Sequence, residues 1–263
     1  YGLGEASKGL YEFVWNDFCD WYLELIKRRL NPGSEPSQSQ LIDKEIAQKV
    51  MFKVLHELLI MLHPLMPHLT EELWHGITGA KEDNLLALQD WPKLNENQIN
   101  DQLEKSFSQL FLSIKLVRNL RAEAGLKPSQ QAPVRFITSN KEYINILKDS
   151  QDDIQSLTKA SNVEVFTPDQ LNNQLSVKAL AGVSGELEVL LPVEGLVDLN
   201  ALNQRLQKDL NKAEKEITSL KVRLANSSFL EKAPLEVVSE CKKKLSDAYS
   251  QAELVRKRLS LLE

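Results

Sequence analysis

The chain has 263 residues, of which 42% are apolar and 26% are charged, and this is enough for two or three small domains with their own cores. Its formal net charge of −5 at pH 7 excludes non-specific binding of nucleic acid by the chain as a whole, so any such binding must use local basic surfaces. A basic surplus lies at the C-terminal end, where residues 198–263 contain thirteen Lys or Arg against ten Asp or Glu.

Cysteine use and hydropathy exclude two more classes of protein. The only cysteines, Cys19 and Cys241, lie inside apolar periodic segments, a pattern that does not favour a disulfide framework or a zinc site. The most apolar stretch is interrupted by His63, Pro64 and Pro67, so it falls short of the roughly 18 apolar residues of a membrane span. Because no secretory signal pattern is present, we expect a cytoplasmic protein without a membrane partner. The chain begins without methionine in the middle of a helical pattern, so we also expect a fragment of a longer protein.

The first hundred residues have the periodicity of helices separated by short breaks. Apolar residues recur at steps of three and four over 5–30 and over 41–63, which is typical of helices with one buried face. The residues between these helices, 31–40, are rich in Pro and Ser and predict a loop. Pro64 ends the second helix, and Pro67 begins a short third one, because proline is tolerated in the first turn of a helix.

The helix predicted at 96–127 has two different faces. Its packing face contains eight apolar residues at helical spacing: Ile99, Leu103, Phe107, Leu110, Ile114, Val117, Leu120 and Ala124. Lys115, Arg118 and Arg121 follow one another at intervals of three residues and fan over roughly 120° of the helix surface. Lys127 extends this basic patch beyond the end of the helix.

The helical pattern ends at Gly125 and Pro128. Glycine favours the left-handed position at the end of a helix, and proline cannot continue the hydrogen-bond ladder. Four helices with apolar faces and short connections therefore predict a helical bundle over residues 1–128.

Residues 129–195 have the pattern of a small α/β domain. Runs of β-branched, aliphatic and aromatic residues predict strands at 134–138, 163–166, 176–182 and 186–192, and helical patterns lie at 141–149 and 152–160. The segment Val183-Ser184-Gly185 between the last two runs favours a hairpin turn.

Residues 196–263 predict a third domain, an antiparallel coiled coil. Apolar residues form one seam in each arm: Leu199, Leu202, Leu206, Leu210, Ala213, Ile217, Leu220 and Leu224 in the first, and Val238, Cys241, Leu245, Ala248, Ala252, Val255, Leu259 and Leu262 in the second. The stretch 226–236 is polar and contains a proline, so we expect the chain to reverse there. Each arm of nearly thirty residues extends about 40 Å at 1.5 Å per residue, which leaves most of the hairpin exposed.

The sequence contains no motif for catalysis or metal binding. It has no nucleotide-binding glycine loop, no serine or cysteine nucleophile motif and no cluster of metal ligands. The four histidines suggest a metal site, but none are four residues apart or close to a cysteine, so ordinary surface or cap positions are favoured for His56, His63, His68 and His75. We therefore expect no catalytic residue, no metal ligand and no cofactor within this chain.

Two sets of side chains on the first helix have alternative interpretations. Asp17, Asp20 and Glu24 line one face and could be mistaken for a catalytic acid pair, but a solvated face or ion pairs with Arg118 and Arg121 are favoured. An aromatic set could stack on nucleobases, although its helical spacing favours the core for most members: Phe13, Trp15, Phe18, Trp21 and Tyr22. Trp15 lies off the main apolar stripe.

Several segments resemble the valyl-tRNA synthetase family. LYEFVWNDFCDWYLEL at 10–25, PLMPHLTEELW at 64–74 and IKLVRNLRAEAGLKP at 114–128 resemble, in this order, the anticodon-binding region of that family. GELEVLLPVEGLVDLNALNQRLQKDL and LANSSFLEKAPLEVV resemble its C-terminal extension and coiled-coil hairpin, so the resemblance covers essentially the whole chain. The bundle motifs fit class I synthetases for valine, isoleucine and leucine, whereas FCDWYLEL and NSSFLEKAP are specific for valine. The two ATP-handling signatures and the editing site of the family have no counterpart in this sequence.

The resemblance implies a mainly α protein with a helical bundle of the class I synthetase anticodon-binding type, a small α/β domain and an antiparallel coiled-coil hairpin. It implies contacts to the anticodon arm of tRNA(Val) from Lys115, Arg118, Asn119, Arg121 and Lys127. It also implies that the hairpin contacts the outer corner of the tRNA through Arg205, Lys208, Lys212, Lys242, Lys243, Arg256 and Arg258. These residue types are suitable, because unpaired bases present edges to Arg and Asn while phosphates bind Lys.

The same resemblance implies that ATP is a cofactor of the full-length ligase only, and that this fragment does not aminoacylate tRNA by itself. The expected partners are tRNA(Val) and the rest of the synthetase chain, with the fragment itself a monomer. The alternative is a structural or interaction module that self-associates through its coiled coil, with its basic residues forming a solvated surface. The loop at 226–236 argues against this alternative, because it lets the arms pair within one chain and leaves less reason to dimerise.

Overall fold

The chain forms two compact units, Tyr1–Asn100 and Asp101–Glu263. The computed structural model describes residues 2–79, 81, 83–171, 178–226 and 234–262. The first unit is helical, and the second combines helices with one four-stranded sheet. The predicted fold class, mainly α with a small α/β part and a coiled coil, is confirmed.

The first unit begins with three continuous helical segments. Its elements are α1 (Leu3–Glu12), a π-helical segment (Phe13–Tyr22), α2 (Leu23–Leu30), α3 (Gln38–Leu62), α4 (Pro67–Thr78) and two 3₁₀ turns (Leu86–Leu88 and Glu96–Gln98). The first three correspond to the single helix predicted at 5–30. Apolar spacing of three and four residues did not predict the π-helical winding, because this rare geometry has no simple periodicity signal of its own.

Local hydrogen bonds explain the turn between α2 and α3. Ser37 and Gln40 form a reciprocal capping box, in which each side chain accepts from the backbone N–H of the other residue. Arg29 reaches across the loop and donates from Nε and Nη2 to the two carboxylate oxygens of Asp43, at 2.9 and 2.8 Å. This paired geometry holds the last turn of α2 against the first turns of α3.

A small apolar cluster joins α3 and α4. Leu59, Ile60 and Trp74 pack with Leu86, and all four side chains are buried. Glu71 on α4 accepts a hydrogen bond from the backbone N–H of Leu86 at 2.7 Å. This contact holds the 3₁₀ turn against α4, so the segment after α4 contributes Leu86 to the cluster.

The second unit contains every strand and helix predicted for residues 129–195, with different ends. Its elements are α5 (Asp101–Ala124), β1 (Ala132–Ile137), α6 (Lys141–Asp149), α7 (Gln151–Thr158), β2 (Ala160–Phe166), α8 (Pro168–Leu171), β3 (Ala179–Ser184), β4 (Leu187–Pro192), α9 (Leu199–Ala225) and α10 (Leu235–Ser260). The first residues of the strand predicted at 176–182 lie outside the described residues, as does most of the loop predicted at 226–236.

The sheet has the strand order β2-β1-β4-β3. β1 pairs with β2 in parallel and with β4 in antiparallel orientation. β3 and β4 form the predicted hairpin, and Gly185 has a φ of 57° in its turn, a left-handed value that favours glycine. The order places β3 at an edge of the sheet, where outward carbonyl groups can accept hydrogen bonds from other elements.

Helix α5 belongs to the second unit, because its buried face lies against β3 and β4. The predicted packing face is buried only from Leu110 onward, whereas Ile99, Leu103 and Phe107 are between 40% and 53% exposed. The contact is close, since a Cβ atom at Gly182 would lie 2.8 Å from a methyl carbon of Leu116. The predicted domain limits at 128 and 195 stay predictions, while the observed compact units divide after residue 100.

The arms α9 and α10 pack on each other along the predicted seams. The buried seam residues are Leu202, Leu206, Leu210, Ala213 and Ile217 in α9 and Val238, Cys241, Ala248, Ala252 and Val255 in α10. Glu214 pairs with Arg256, while the later Lys221 lies over the ring of the earlier Tyr249. The pairing therefore runs in opposite directions along the two helices, as an antiparallel coiled coil requires. We call α9 and α10 together the arm.

Candidate nucleic-acid interface

Three of the predicted anticodon-arm contacts are exposed on α5. Lys115, Arg118 and Asn119 all present their side chains to solvent. Arg118 also donates from Nε to the carbonyl oxygen of Leu157 in α7, at 3.1 Å. This contact steadies the guanidinium beside the small domain, and the exposed part of the side chain stays accessible to a ligand.

Arg121 has a different environment from its neighbours. It is only 8% exposed, and its Nη2 donates to the carbonyl oxygens of Lys127 and Gln130, at 3.3 and 2.6 Å. Its buried Nη1 has no hydrogen-bond partner within the described part of the chain. Burial lowers the pKa of this guanidinium from its usual value. The side chain therefore stabilises the turn that follows α5.

The geometry of a helix explains why Arg121 is not on the exposed basic face. Each step of three residues turns the side chain by roughly 60° around the axis. The steps from Lys115 through Arg118 to Arg121 therefore lead from the solvent side to within roughly 40° of the fully buried Val117. The sequence also leaves ion pairing as an alternative role for Arg121, but the acceptors of its Nη2 are two backbone carbonyl oxygens.

The turn after α5 connects the helix to the start of the arm. Gly125 takes the predicted left-handed conformation with a φ of 72°, and the N–H of Leu126 donates to the carbonyl oxygen of Arg121 at 3.0 Å. Gln130 then donates from Nε2 to the carbonyl oxygen of Leu196 at 2.9 Å. Lys127, the fifth predicted contact, is exposed at the surface of this turn.

Two arginines predicted to bind RNA are engaged at the base of the arm. Arg258 in α10 donates from Nη1 to a carboxylate oxygen of Glu123 at 2.5 Å and from Nε to the carbonyl oxygen of Ala181 at 2.7 Å. Arg205 in α9 donates to the backbone carbonyl oxygen of Glu123 at 3.2 Å. Both helices of the arm are thus attached to the last turn of α5, and α10 is also attached to the edge strand β3.

Burial changes the acid–base properties of this contact. It raises the pKa of the Glu123 carboxyl, while Arg258 and Arg205 act to lower that pKa and Asp209 acts to raise it. Burial also lowers the pKa of Arg258, and the nearby Glu123 carboxylate opposes this effect. Both side chains are thus partly removed from water, with exposures of 22% for Glu123 and 12% for Arg258.

The other predicted contacts of the arm lie on its surface. Lys208, Lys212, Lys242 and Lys243 are exposed. Arg256 is also exposed and pairs with Glu214 of the opposite helix at 2.7 Å. Lys215 was not in the predicted set, although it is exposed and follows Lys212 by three residues. The same spacing rule that places Lys208 and Lys212 on one face of α9 could have found it.

The aromatic side chains of the first helical segments divide into buried and exposed ones. Phe18 and Trp21 are buried as predicted for core residues, while Phe13 and Trp15 are 42% and 53% exposed.

Two of the histidines contact neighbouring side chains. His63 Nδ1 lies 2.8 Å from the hydroxyl oxygen of Thr70, and the ring of His56 lies 4.7 Å from that of Trp74. The described residues contain no group of three or more side chains that could hold a metal ion. Among the described helices, none is long and apolar enough to cross a membrane.

Comparison with protein families assigns both ends of the chain. Residues 1–136 match the family described as anticodon-binding domain of tRNA ligase. Residues 198–263 match the family described as valyl tRNA synthetase tRNA binding arm. The second match coincides with the coiled-coil arm, and the first includes α5 with its exposed basic residues.

Several proteins that are similar to this chain are named valine–tRNA ligases. The chain is 64% identical over 259 residues to the valine–tRNA ligase of one Prochlorococcus marinus strain, covering 98% of this chain and 28% of that protein. It is 60% identical to the valine–tRNA ligase of a second Prochlorococcus marinus strain and 41% identical to that of a Synechocystis strain, with 100% of the chain and 28% of each protein covered. The chain therefore spans little more than a quarter of the length of these relatives, and the resemblance stated from the sequence is confirmed.

Proposed function

We propose that this chain, which belongs to the family of anticodon-binding domains of tRNA ligases, is the tRNA-recognition portion of a valine–tRNA ligase. The observation that carries the proposal is the coiled-coil arm, whose exposed lysines lie in residues that match a valyl tRNA synthetase tRNA binding arm. Relatives that are named valine–tRNA ligases match 98% and 100% of the chain. The chain would serve to bind and orient tRNA(Val) for chemistry performed elsewhere in the ligase.

The two candidate surfaces suit two different parts of a tRNA. On α5, the exposed Lys115, Arg118 and Asn119 offer donors for phosphates and for the edges of unpaired bases, and Lys127 adds a charge at the helix end. On the arm, lysines are spread along a rod and point to solvent, which suits sequence-independent contact with a phosphate backbone. The anticodon arm and the outer corner of tRNA(Val) are the respective ligands in this proposal.

The remaining parts of the proposal concern partners and cofactors. The tRNA and the rest of the ligase chain are the proposed partners, in the cytoplasm, and ATP belongs to the full-length enzyme. Valyl-tRNA synthesis by this chain alone would contradict the proposal. The chain is proposed to be a monomer, because the apolar seams of α9 and α10 cover each other within one molecule.

The test is a titration of the purified chain with tRNA(Val) and with tRNA(Ile) at several salt concentrations. We expect tighter binding of tRNA(Val), and a slope of log K against log salt that becomes less steep when Lys208, Lys212 and Lys215 are all changed to Gln. The matched control changes the same three residues to Arg, which keeps the charges and should keep the slope. Equal slopes for the Gln and Arg variants would show that this face of the arm does not contact RNA.

Self-association through the coiled coil is the competing function. Light scattering should give the mass of one chain at micromolar concentrations if the seams are satisfied internally. A stable dimer that dissociates when seam residues such as Leu206 and Val255 are changed to Asp, while tRNA binding is absent from the wild-type chain, would favour a structural module instead.

A further inference from the structure

One partly buried guanidinium joins the arm to two other elements of the second unit. Arg258 lies in the last turns of α10 and is 12% exposed. Its Nη1 donates to Glu123 in α5, and its Nε donates to the carbonyl oxygen of Ala181 in β3. A planar guanidinium that binds two acceptors at once fixes direction as well as distance.

Three other polar contacts at the base of the arm each reach a single element. Lys257 pairs with Glu188 of β4 at 2.7 Å but is itself 46% exposed. Arg205 reaches only the backbone of Glu123. Leu261, just after α10, packs on the apolar cluster of the sheet, and its carbonyl oxygen accepts from Ala179 at 3.3 Å. These contacts hold the base in place, but none of them links α10 to two elements through one rigid group.

We infer that Arg258 is a positioning residue. It sets the angle of the arm relative to α5 and the sheet, and it does not itself contact tRNA. The inference rests on the proposed function for its consequence in tRNA binding, but the angle of the arm can be measured without tRNA. The resemblance to the synthetase family implies a direct RNA contact for Arg258, and the positioning role replaces that contact. Arg258 acts through its hydrogen bond to Glu123.

The length of the arm amplifies small changes at its base. An arm of about 40 Å moves its tip by about 7 Å when it tilts by about 10°. A displacement of that size moves a cation from contact distance with a phosphate to about 11 Å, beyond the Debye length of about 8–10 Å, where the attraction is largely screened. Loss of the fixed angle therefore lowers the fraction of molecules whose arm can meet the tRNA while α5 is also bound.

A direct contact between Arg258 and a phosphate would be costly. The phosphate would have to replace the Glu123 carboxylate, leaving a half-buried acid without its cation. Exposed lysines farther along the arm can neutralise phosphates without such a loss. The same arginine therefore contributes more to binding by holding the arm than by contacting the backbone of the RNA.

The experiment measures the arm angle and tRNA binding in the full 263-residue chain. Spin labels are attached at Ser219→Cys in the arm and Lys148→Cys on α6, both exposed positions, with Cys19→Ser and Cys241→Ala as background. We expect a narrow distance distribution in this parent chain and a broad one after Arg258→Gln. If about a tenth of the molecules keep the competent angle, the affinity for tRNA(Val) falls about tenfold, with an unchanged salt slope.

Two variants separate positioning from loss of charge. Arg256→Gln removes the same charge from the same helix, but its partner Glu214 lies within the arm, so the distance distribution should stay narrow. Arg258→Lys keeps the charge without the two-acceptor geometry and should also broaden the distribution.

The outcomes decide between positioning and contact. A narrow distribution in Arg258→Gln overturns the inference, and so does a salt slope that falls by about one phosphate contact. If the distribution broadens while wild-type chain fails to bind tRNA(Val), the positioning role is supported and the proposed function fails.

Discussion

The base and the distal part of the arm contain the same types of residue in different environments. At the base, which we define as residues 198–209 and 254–262, Arg205 and Arg258 both reach Glu123 of α5. In the distal part, residues 215–226 and 234–250, Lys242 and Lys243 are exposed and Lys244 pairs with Glu240 one turn away. Arg205 and Arg258 at the base thus connect the arm to α5, whereas Lys242 and Lys243 in the distal part lie on the exposed surface of α10.

This difference shows that a cation on a coiled-coil surface does not have one fixed role. Neither Arg258 nor Lys243 is a seam residue, but Arg258 has a neighbouring helix and strand to meet, whereas Lys243 is exposed. Surface ion pairs such as Lys244 with Glu240 contribute little to stability, while a half-buried pair such as Arg258 with Glu123 couples the elements that it joins. Four measurements test how far supporting residues differ from exposed ones in this protein.

The largest effect is expected for Arg121→Ala, because this change removes a buried side chain and the donor for two carbonyl oxygens. We expect the free energy of unfolding to fall by about 2–4 kcal/mol, measured by urea denaturation. Lys115→Ala, on the exposed side of the same helix, should change it by less than about 0.5 kcal/mol. Similar values for the two variants would contradict the assignment of Arg121 to the turn after α5.

The next effect is expected at Gly182, where a side chain of α5 lies close to the sheet. The Cβ atom in Gly182→Ala would lie 2.8 Å from Leu116, and we expect overpacking to cost about 1–3 kcal/mol of unfolding free energy. The variant should also broaden the arm distances, because α5 and β3 hold the two acceptors of Arg258. The control is Val183→Thr, at a 47% exposed position on the same strand. Equal melting temperatures for the two variants would show that the space beside Leu116 accommodates the added methyl group without strain.

A smaller effect concerns the pH dependence of Glu123. Burial raises the pKa of its carboxyl in the folded state, so the folded state binds a proton more readily than the unfolded chain. Stability from this group therefore falls as pH rises from the ordinary glutamate pKa of 4.5 through the raised value. Urea denaturation across this pH window should show the fall in unfolding free energy in wild type, and Glu123→Gln should lack it.

Glu240 in the distal part provides a control of opposite sign. Its pKa is lowered by the hydrogen bond from Lys244, so its contribution is present above the ordinary glutamate pKa and is lost as pH falls. Glu240→Gln should therefore remove a dependence that runs in the other direction. The same sign for both variants would mean that Glu123 is not desolvated at the base of the arm.

The smallest effect on stability is expected for Lys243→Gln in the distal part. Unfolding free energy should stay within about 0.5 kcal/mol of wild type, because the side chain is exposed. If Lys243 neutralises one phosphate, the salt slope for tRNA(Val) should become less steep by about 0.9. Ser246→Ala, at an exposed neutral position on the same helix, should leave the slope unchanged. A loss of stability with an unchanged slope would remove the distinction between the two parts of the arm.

Much of the candidate site could be predicted from the sequence, but its division into contacts and supports could not. Spacing on α5 correctly indicated exposed positions for Lys115 and Arg118, and a helical wheel drawn from Val117 would already have placed Arg121 toward the core. The engagement of Arg258 has no such signal. Its partners Glu123 and Ala181 are 135 and 77 residues away along the chain, and no local pattern reports contacts at such separations.

Patterns in the sequence predict most of the local structure of this protein: the main helices except for the π-helical winding, the two seams of the coiled coil, the left-handed end of α5 at Gly125 and the hairpin around Gly185. These features depend on periodicity and on backbone preferences of single residues, which are properties of short segments. Contacts between distant segments set the other features: β4 lies between β1 and β3, α5 packs on the sheet from Leu110 onward, and Arg121 and Arg258 are engaged in the fold. Burial depends on what another segment places against a side chain, and that information is distributed over the whole chain.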